Sequence, residues 1–227
     1  MSALADNLAW VNERIALAAG RSERQPEAVT LVAVTKKQPA SIVAEALAAG
    51  AVDLGENYVQ EAAEKREQVT GGRWHLMGHL QSNKAKLAVS LFDLIQSVDS
   101  VKLAQALGRH AQAANTTQDI LLQVHLGDEA TKTGLPPEQA MDAAGEIAAV
   151  PGVTLRGLMG IAPFGVDPRP HFQALRRLFE ALPQPNRHVL SMGMSGDFEA
   201  AIEEGATMVR VGTAIFGGAS LDKQNHN

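Results

Sequence analysis

No cysteine occurs among the 227 residues, which excludes disulfides, thiolate nucleophiles and cysteine-built metal sites. No basic run stands out either. Twenty Lys and Arg against 25 Asp and Glu leave a formal charge of −5, which argues against a surface that grips nucleic-acid phosphates. No stretch is long and apolar enough to span a bilayer. The first twenty residues, MSALADNLAWVNERIALAAG, break their apolar positions with acids and an arginine, unlike the core of a signal peptide. The expectation is therefore a soluble cytoplasmic protein with neither nucleic-acid nor membrane partners. HxH and HExxH patterns are also missing, and His75 and His79 stand apart from acids along the chain, so no metal site is expected.

What is present is a repeat. Leu4, Leu8, Val11, Ile15 and Ala18 recur at helical spacing, placing a helix over about 3–19. Strand-like and helix-like segments then alternate to the end. The strand candidates are TLVAVT (30–35), VDLG (52–55), RWHLMG (73–78), LIQSV (94–98), DILLQVHL (119–126), LRGLMGI (155–161), HVLSMG (188–193) and MVRVGT (208–213). Eight strands alternating with helices is the count that closes a single (β/α)8 TIM barrel, here over about 30–217, with the N-terminal helix extra to it. An open doubly wound sheet is the competing architecture, but the turn after the first strand, TKKQPA, lacks the glycines of a dinucleotide fingerprint. Without a linker or a composition shift, residues 1–227 read as one domain.

In such a barrel, chemistry belongs at the C-terminal ends of the strands. That rule gathers Lys36 and Lys37, Glu56 and Asn57, His79 with Gln81 to Asn83, Ser191 to Ser195, and Gly212 with Thr213 on one rim. Strand alternation puts Val32, Val34 and Lys36 on the inward face and turns Lys37 outward. An amine at a packed, water-poor mouth is favoured in its neutral form, the nucleophile that carbonyl condensation needs. From position alone, a rim lysine reaching out to solvent is the more ordinary outcome.

Ser195 reads as a helix N-cap, with Gly193 and Gly196 leaving room for an anion to approach backbone N–H groups. Gly212 and Thr213 offer a second such start, and the loops after strands 7 and 8 commonly hold phosphate in this architecture. Ordinary capping is the alternative for either loop alone, and Asp197 in the first turn would compete with an anion. Arg210 lies mid-strand on the face of Gly212 and must meet an acceptor if it points inward. That acceptor could be a ligand atom or a neighbouring strand's acid such as Asp53. A lysine after strand 1, a phosphate cradle and an arginine in strand 8 together suggest pyridoxal 5′-phosphate.

The segments VAVTKKQP, LGENYVQE, WHLMGHLQSNKAK, LRGLMGIAP, LSMGMSGDFEAAI and VRVGTAIFG, in order and spacing, resemble the pyridoxal phosphate homeostasis protein family. The resemblance implies a fold-type III barrel like the N-terminal domain of alanine racemase. It implies an internal aldimine on Lys36 and Asn57 beside the cofactor ring. It places Ser195, Gly212 and Thr213 on the phosphate, Arg210 at the pyridine nitrogen, and Met77 and His79 on the pocket wall. Lys132 in TKTG matches a family lysine near the rim, and Gly196 stands where other members carry alanine. The implied role is intracellular vitamin B6 and amino-acid homeostasis without established turnover, with apo-enzymes that need the cofactor as candidate partners.

Arginine has only donors, so a pyridine nitrogen facing Arg210 stays an unprotonated acceptor and a weak electron sink. Racemisation needs a second acid or base on the opposite face of the substrate. The only tyrosine is Tyr58, and no second domain follows strand 8 to supply another group. These features favour a cofactor carrier over an alanine racemase-class enzyme, with a sugar-phosphate aldolase as a third class, and they lead us to expect a monomer.

Overall fold

The computed structural model describes residues 2–127 and 133–217, so Lys132 lies outside the described residues. Eight parallel strands, β1 (Thr30–Val34), β2 (Asp53–Glu56), β3 (Arg73–Leu76), β4 (Leu94–Val98), β5 (Gln118–His125), β6 (Val153–Ile161), β7 (Val189–Ser191) and β8 (Met208–Val211), close into a barrel in chain order. Val32 of β1 closes the ring, pairing with Asp53 on one side and Arg210 on the other. The helices between them are α2 (Ala40–Ala48), α3 (Val59–Arg66), α4 (Ala85–Leu91), α5 (Val101–Ala113), α6 (Pro137–Ala148), α7 (Arg169–Ala181) and α8 (Phe198–Glu203). The short α9 (Thr213–Phe216) follows β8. The eight-stranded architecture read from the sequence is the one that forms.

Period-two patterning divides the apolar residues into two layers. Val32, Leu94, Leu121, Met159 and Met208 fill the barrel interior. Ala33, Leu54, Trp74, Leu76 and Ile95 point the other way, into the larger core beneath the helices. Each fully buried Leu or Ile there contributes about 1.5–3 kcal/mol of transfer free energy. The extra helix α1 (Ala3–Arg21) buries Leu4, Leu8, Val11, Ile15 and Ala18 against α8 and α9, and the Ser2 hydroxyl caps it by accepting from Ala5 N–H at 3.3 Å. In β6 the ladder to β5 shifts register beside Gly157, whose φ is +152°. A Cβ there would sit 1.9 Å from Val189 O, so only glycine lets β6 and β7 approach this closely. No helix among the described residues is long and apolar enough to cross a membrane.

Candidate functional site

A cavity of about 530 Å³ opens at the C-terminal mouth of the barrel, within the usual size of small-molecule sites. Lys36, Asn57, Met77, Ser195, Arg210, Gly212 and Thr213 all line it. His79 is not on its wall. The alternation that would align 75, 77 and 79 stops where β3 ends at Leu76, and His79 turns half-exposed toward Asp99, with Nδ1 3.4 Å from Oδ2. The chain bends there because Gly78 lies against the backbone of Asn57, where a Cβ would be 2.1 Å from the Asn57 oxygen. Gly78→Ala is therefore expected to push Asn57 off the cavity wall and destabilise the fold by about 1–3 kcal/mol, as overpacking does. Urea unfolding together with a ligand-binding titration of the variant checks both effects.

The turn carrying Lys36 rests on buried charges. Past β1, Thr35 faces outward and donates from Oγ1 to Glu56 Oε1 at 2.6 Å. Lys65 Nζ donates to Glu56 Oε1 at 2.6 Å, to Thr35 O at 2.7 Å and to Glu61 Oε1 at 2.8 Å. Glu61 in turn accepts from the backbone N–H of Lys37, whose φ of +62° is unusual for a lysine. Thr35 and Lys37 are thus pinned from below, and Lys36 between them projects into the cavity while Lys37 does not. Burial, only partly offset by hydrogen bonds from Lys65 and Thr35, pushes the Glu56 carboxyl above its ordinary range, and its Oε2 is buried without a partner among the described residues. Sequence reasoning put Glu56 on the rim beside Asn57 and passed over Lys65. The signal was available: Val59, Ala62 and Lys65 follow one another on a single helix face, and all three are buried.

Two backbone loops converge opposite. Ser195 is not the cap of α8; the helix starts at Phe198, with Asp197 at the cap position. A tight turn intervenes, closed by Asp197 N–H and Phe198 N–H donating to Met194 O at 3.0 and 2.8 Å. Ser195 Oγ instead accepts from Gly212 N–H at 3.2 Å and Ala214 N–H at 3.4 Å, tying the loop after β7 to the loop after β8. Asp197 Oδ1 accepts from Met194 N–H at 2.6 Å, so its carboxylate is engaged within its own turn. A Cβ on Gly196 would meet nothing within 4 Å, so the glycine leaves the mouth open there.

Arg210 forms the floor. It is buried and inward, donating from Nη1 to Ser191 Oγ at 2.7 Å and from Nη2 to Gly160 O at 3.0 Å. Asp53, across Val32 from Arg210, binds Arg73 and His75, each at 2.8 Å, and so is not the partner of Arg210. Burial lowers the Arg210 pKa to about 10. The remaining wall, which the sequence reading missed, is the apolar loop Ile161–Val166 with Pro168. The segment IAPFGVDP reads as a loop from its glycine and prolines, but nothing local to it announces that it bends over the mouth. Taken together, the cavity offers a primary amine at one side, a donor-only guanidinium below, and hydroxyl and N–H groups opposite, a set suited to a flat molecule with a carbonyl, a ring acceptor and an anionic tail.

The family model of the alanine racemase N-terminal domain matches residues 2–220. The pyridoxal phosphate homeostasis protein of Escherichia coli is 40% identical over 234 residues, covering 99% of this chain and all of that protein. Its counterpart in Pseudomonas aeruginosa is 43% identical and covers 96% of each chain. The solved structure of PipY from Synechococcus elongatus with PLP bound superposes with a TM-score of 0.78 at 40% identity, covering 91% of this chain and 100% of that one. Alanine racemase of Clostridium difficile shares the fold at TM-score 0.74 and 15% identity, with 96% of this chain spanning 58% of the racemase. The chain belongs to the alanine racemase N-terminal domain family and, within it, to the pyridoxal phosphate homeostasis proteins.

Proposed function

We propose that this protein binds pyridoxal 5′-phosphate at the barrel mouth and serves its homeostasis as a carrier. One observation carries the reading: a single cavity brings together Lys36, Arg210 and the Ser195–Gly212 crossing. The donor set fits the cofactor. Ser195 Oγ accepts from Gly212 and Ala214 N–H and keeps its own hydrogen to donate to a phosphate, Thr213 lines the same cavity, and Arg210 can only donate to a ring nitrogen. When bound, the cofactor supplies an aldehyde that condenses with a primary amine with loss of water. Lys36 would present that amine, and Asn57, Met77 and the apolar segment Ile161–Val166, which line the same cavity, would surround the ring.

The same residues argue against turnover. Arg210, which can only donate, would leave a ring nitrogen facing it unprotonated and so a weak electron sink. Among the described residues, the ionisable groups on the wall are Lys36, Asp197 and Arg210. Asp197 is tied to Met194 N–H, and Tyr58 stands exposed, away from the cavity. Among the described residues, no group is therefore placed to exchange a proton on the face opposite Lys36. The finer reading is of one barrel domain acting as a cytoplasmic monomer that hands cofactor to apo-enzymes, for which the open mouth is the support.

Borohydride reduction of the loaded protein followed by peptide mapping is expected to place the cofactor on Lys36, and Lys36→Ala is expected to lose that label. Label on another residue in the wild type would overturn the assignment, and label on Lys132 in the variant would identify a second amine within reach. Rapid α-proton exchange of amino acids in deuterated water would favour an enzyme instead.

A further inference from the structure

A polar chain crosses the barrel interior beneath the cavity, and the donor and acceptor inventory fixes its direction. Arg210 only donates, so Ser191 Oγ accepts from Nη1 at 2.7 Å. The single hydroxyl hydrogen of Ser191 then goes to Gln96 Oε1, 2.6 Å away. With its oxygen so engaged, Gln96 turns its amide nitrogen to His75 Nδ1 at 3.0 Å. An amide nitrogen donates, so Nδ1 is the bare acceptor and the imidazole proton sits on Nε2, facing Asp53 Oδ1 at 2.8 Å. Arg73 holds the other carboxylate oxygen at 2.8 Å. All five members of the chain are buried. Every hydrogen points one way, from the cation at the cavity floor to the anion on β2.

We infer that Asp53, His75, Gln96 and Ser191 are positioning residues that fix Arg210 as a donor toward the ring nitrogen of the cofactor, an inference that rests on the cofactor reading above. None of the four lines the cavity, so they act through Arg210 alone. Reversing any one link disturbs the rest. A proton on His75 Nδ1 would face the Gln96 amide hydrogens. Turning the Gln96 amide over would relieve that clash but leave Ser191 with two donors and no acceptor for its own hydrogen. The chain therefore holds a single arrangement, as fully satisfied buried networks do. Its sequence trace is four polar residues, each on a different strand.

The test has two arms. In the cofactor-free protein, nitrogen NMR of the His75 ring is expected to show the neutral tautomer protonated on Nε2. Gln96→Glu, whose carboxylate accepts on both sides, is expected to move a proton onto Nδ1. A wild-type His75 protonated on Nδ1 overturns the chain. In protein loaded with ring-15N pyridoxal 5′-phosphate, Gln96→Leu is expected to shift the ring-nitrogen resonance and speed cofactor release about tenfold, the worth of one hydrogen bond to a charged group. An unchanged resonance and release rate would reduce the chain to structural support and overturn the inference. Should Gln96→Leu not fold, Ser191→Ala, which removes the oxygen that accepts from Arg210 Nη1, gives the same two readouts. A wild type that takes up no cofactor would defeat the cofactor reading while leaving the His75 assignment intact.

Discussion

Replacing Lys65 with methionine is expected to cost the fold about 3–5 kcal/mol at pH 7, the usual penalty for leaving a buried charge without its partner. Urea unfolding measures it. Lys65 and Glu56 meet at 2.6 Å with side chains 6% and 0% exposed, so water cannot stand in for the lost ammonium. The loss should shrink on acidification, and the sign follows from Glu56. Its pKa in the folded protein is raised above the ordinary 4.5, chiefly by burial. A raised acid binds its proton more tightly folded than unfolded. Its contribution to stability is complete below the unfolded value and is lost as pH rises through the folded one. Removing Lys65 removes an interaction that lowers this pKa, so the window moves upward and the variant recovers toward pH 5. Lys65→Met combined with Glu56→Leu should restore most of the stability, because Thr35 Oγ1 retains Gly55 O at 3.4 Å. An equal loss at pH 5 and pH 7 would show that Glu56 is not the stranded charge. Because Lys65 also holds Thr35 O, the single variant should in addition loosen the turn that presents Lys36.

The difference between Lys36 and His79 shows how far the sequence reaches. Lys36 could be placed because alternation from Val32 through Val34 continues two residues past the end of β1, and the turn there is short. His79 could not, since β3 stops at Leu76 and the chain is redirected where Gly78 meets the Asn57 backbone, a contact between segments about twenty residues apart. Ser195 failed as a cap for a similar reason. Its neighbours have capping composition, but the Met194–Asp197 turn delays α8 by two residues and frees the hydroxyl for Gly212 and Ala214. Composition thus found the right loops, while the partners within them depended on backbone geometry. The interior chain was less legible still. Alternation identifies His75 and Arg210 as inward residues, but their level along the barrel is set by register across all eight strands. Val32 pairs with both Asp53 and Arg210, yet the tilt of the strands steps the two apart along the barrel axis, so acid and guanidinium find separate partners.

Arg210→Met is expected to separate stability from binding. Stability of the cofactor-free protein should change by less than about 1 kcal/mol, while cofactor retention falls about 100-fold, the upper part of the range for a hydrogen bond to a charged group. The stability expectation is a near-cancellation. Burial lowers the Arg210 pKa from its ordinary value to about 10, so the folded protein disfavours its charge. The unfolded chain therefore binds this proton more tightly, and stability rises with pH only from about 10 up to the ordinary arginine value, leaving a constant cost at neutral pH. Methionine, of comparable length, removes that cost. Against it stand Ser191 Oγ and Gly160 O, each losing a donor it now receives at 2.7 and 3.0 Å. Unpaired buried acceptors cost about 1–3 kcal/mol each, of the same order as the relief from desolvation. Binding has no such compensation, because among the described residues Arg210 is the one arginine lining the cavity. Paired urea unfolding and cofactor-release measurements on one preparation distinguish the cases. A variant that loses several kcal/mol yet retains cofactor would make Arg210 a structural residue; one that keeps its stability and releases cofactor faster would make the guanidinium a binding group maintained at the expense of the fold.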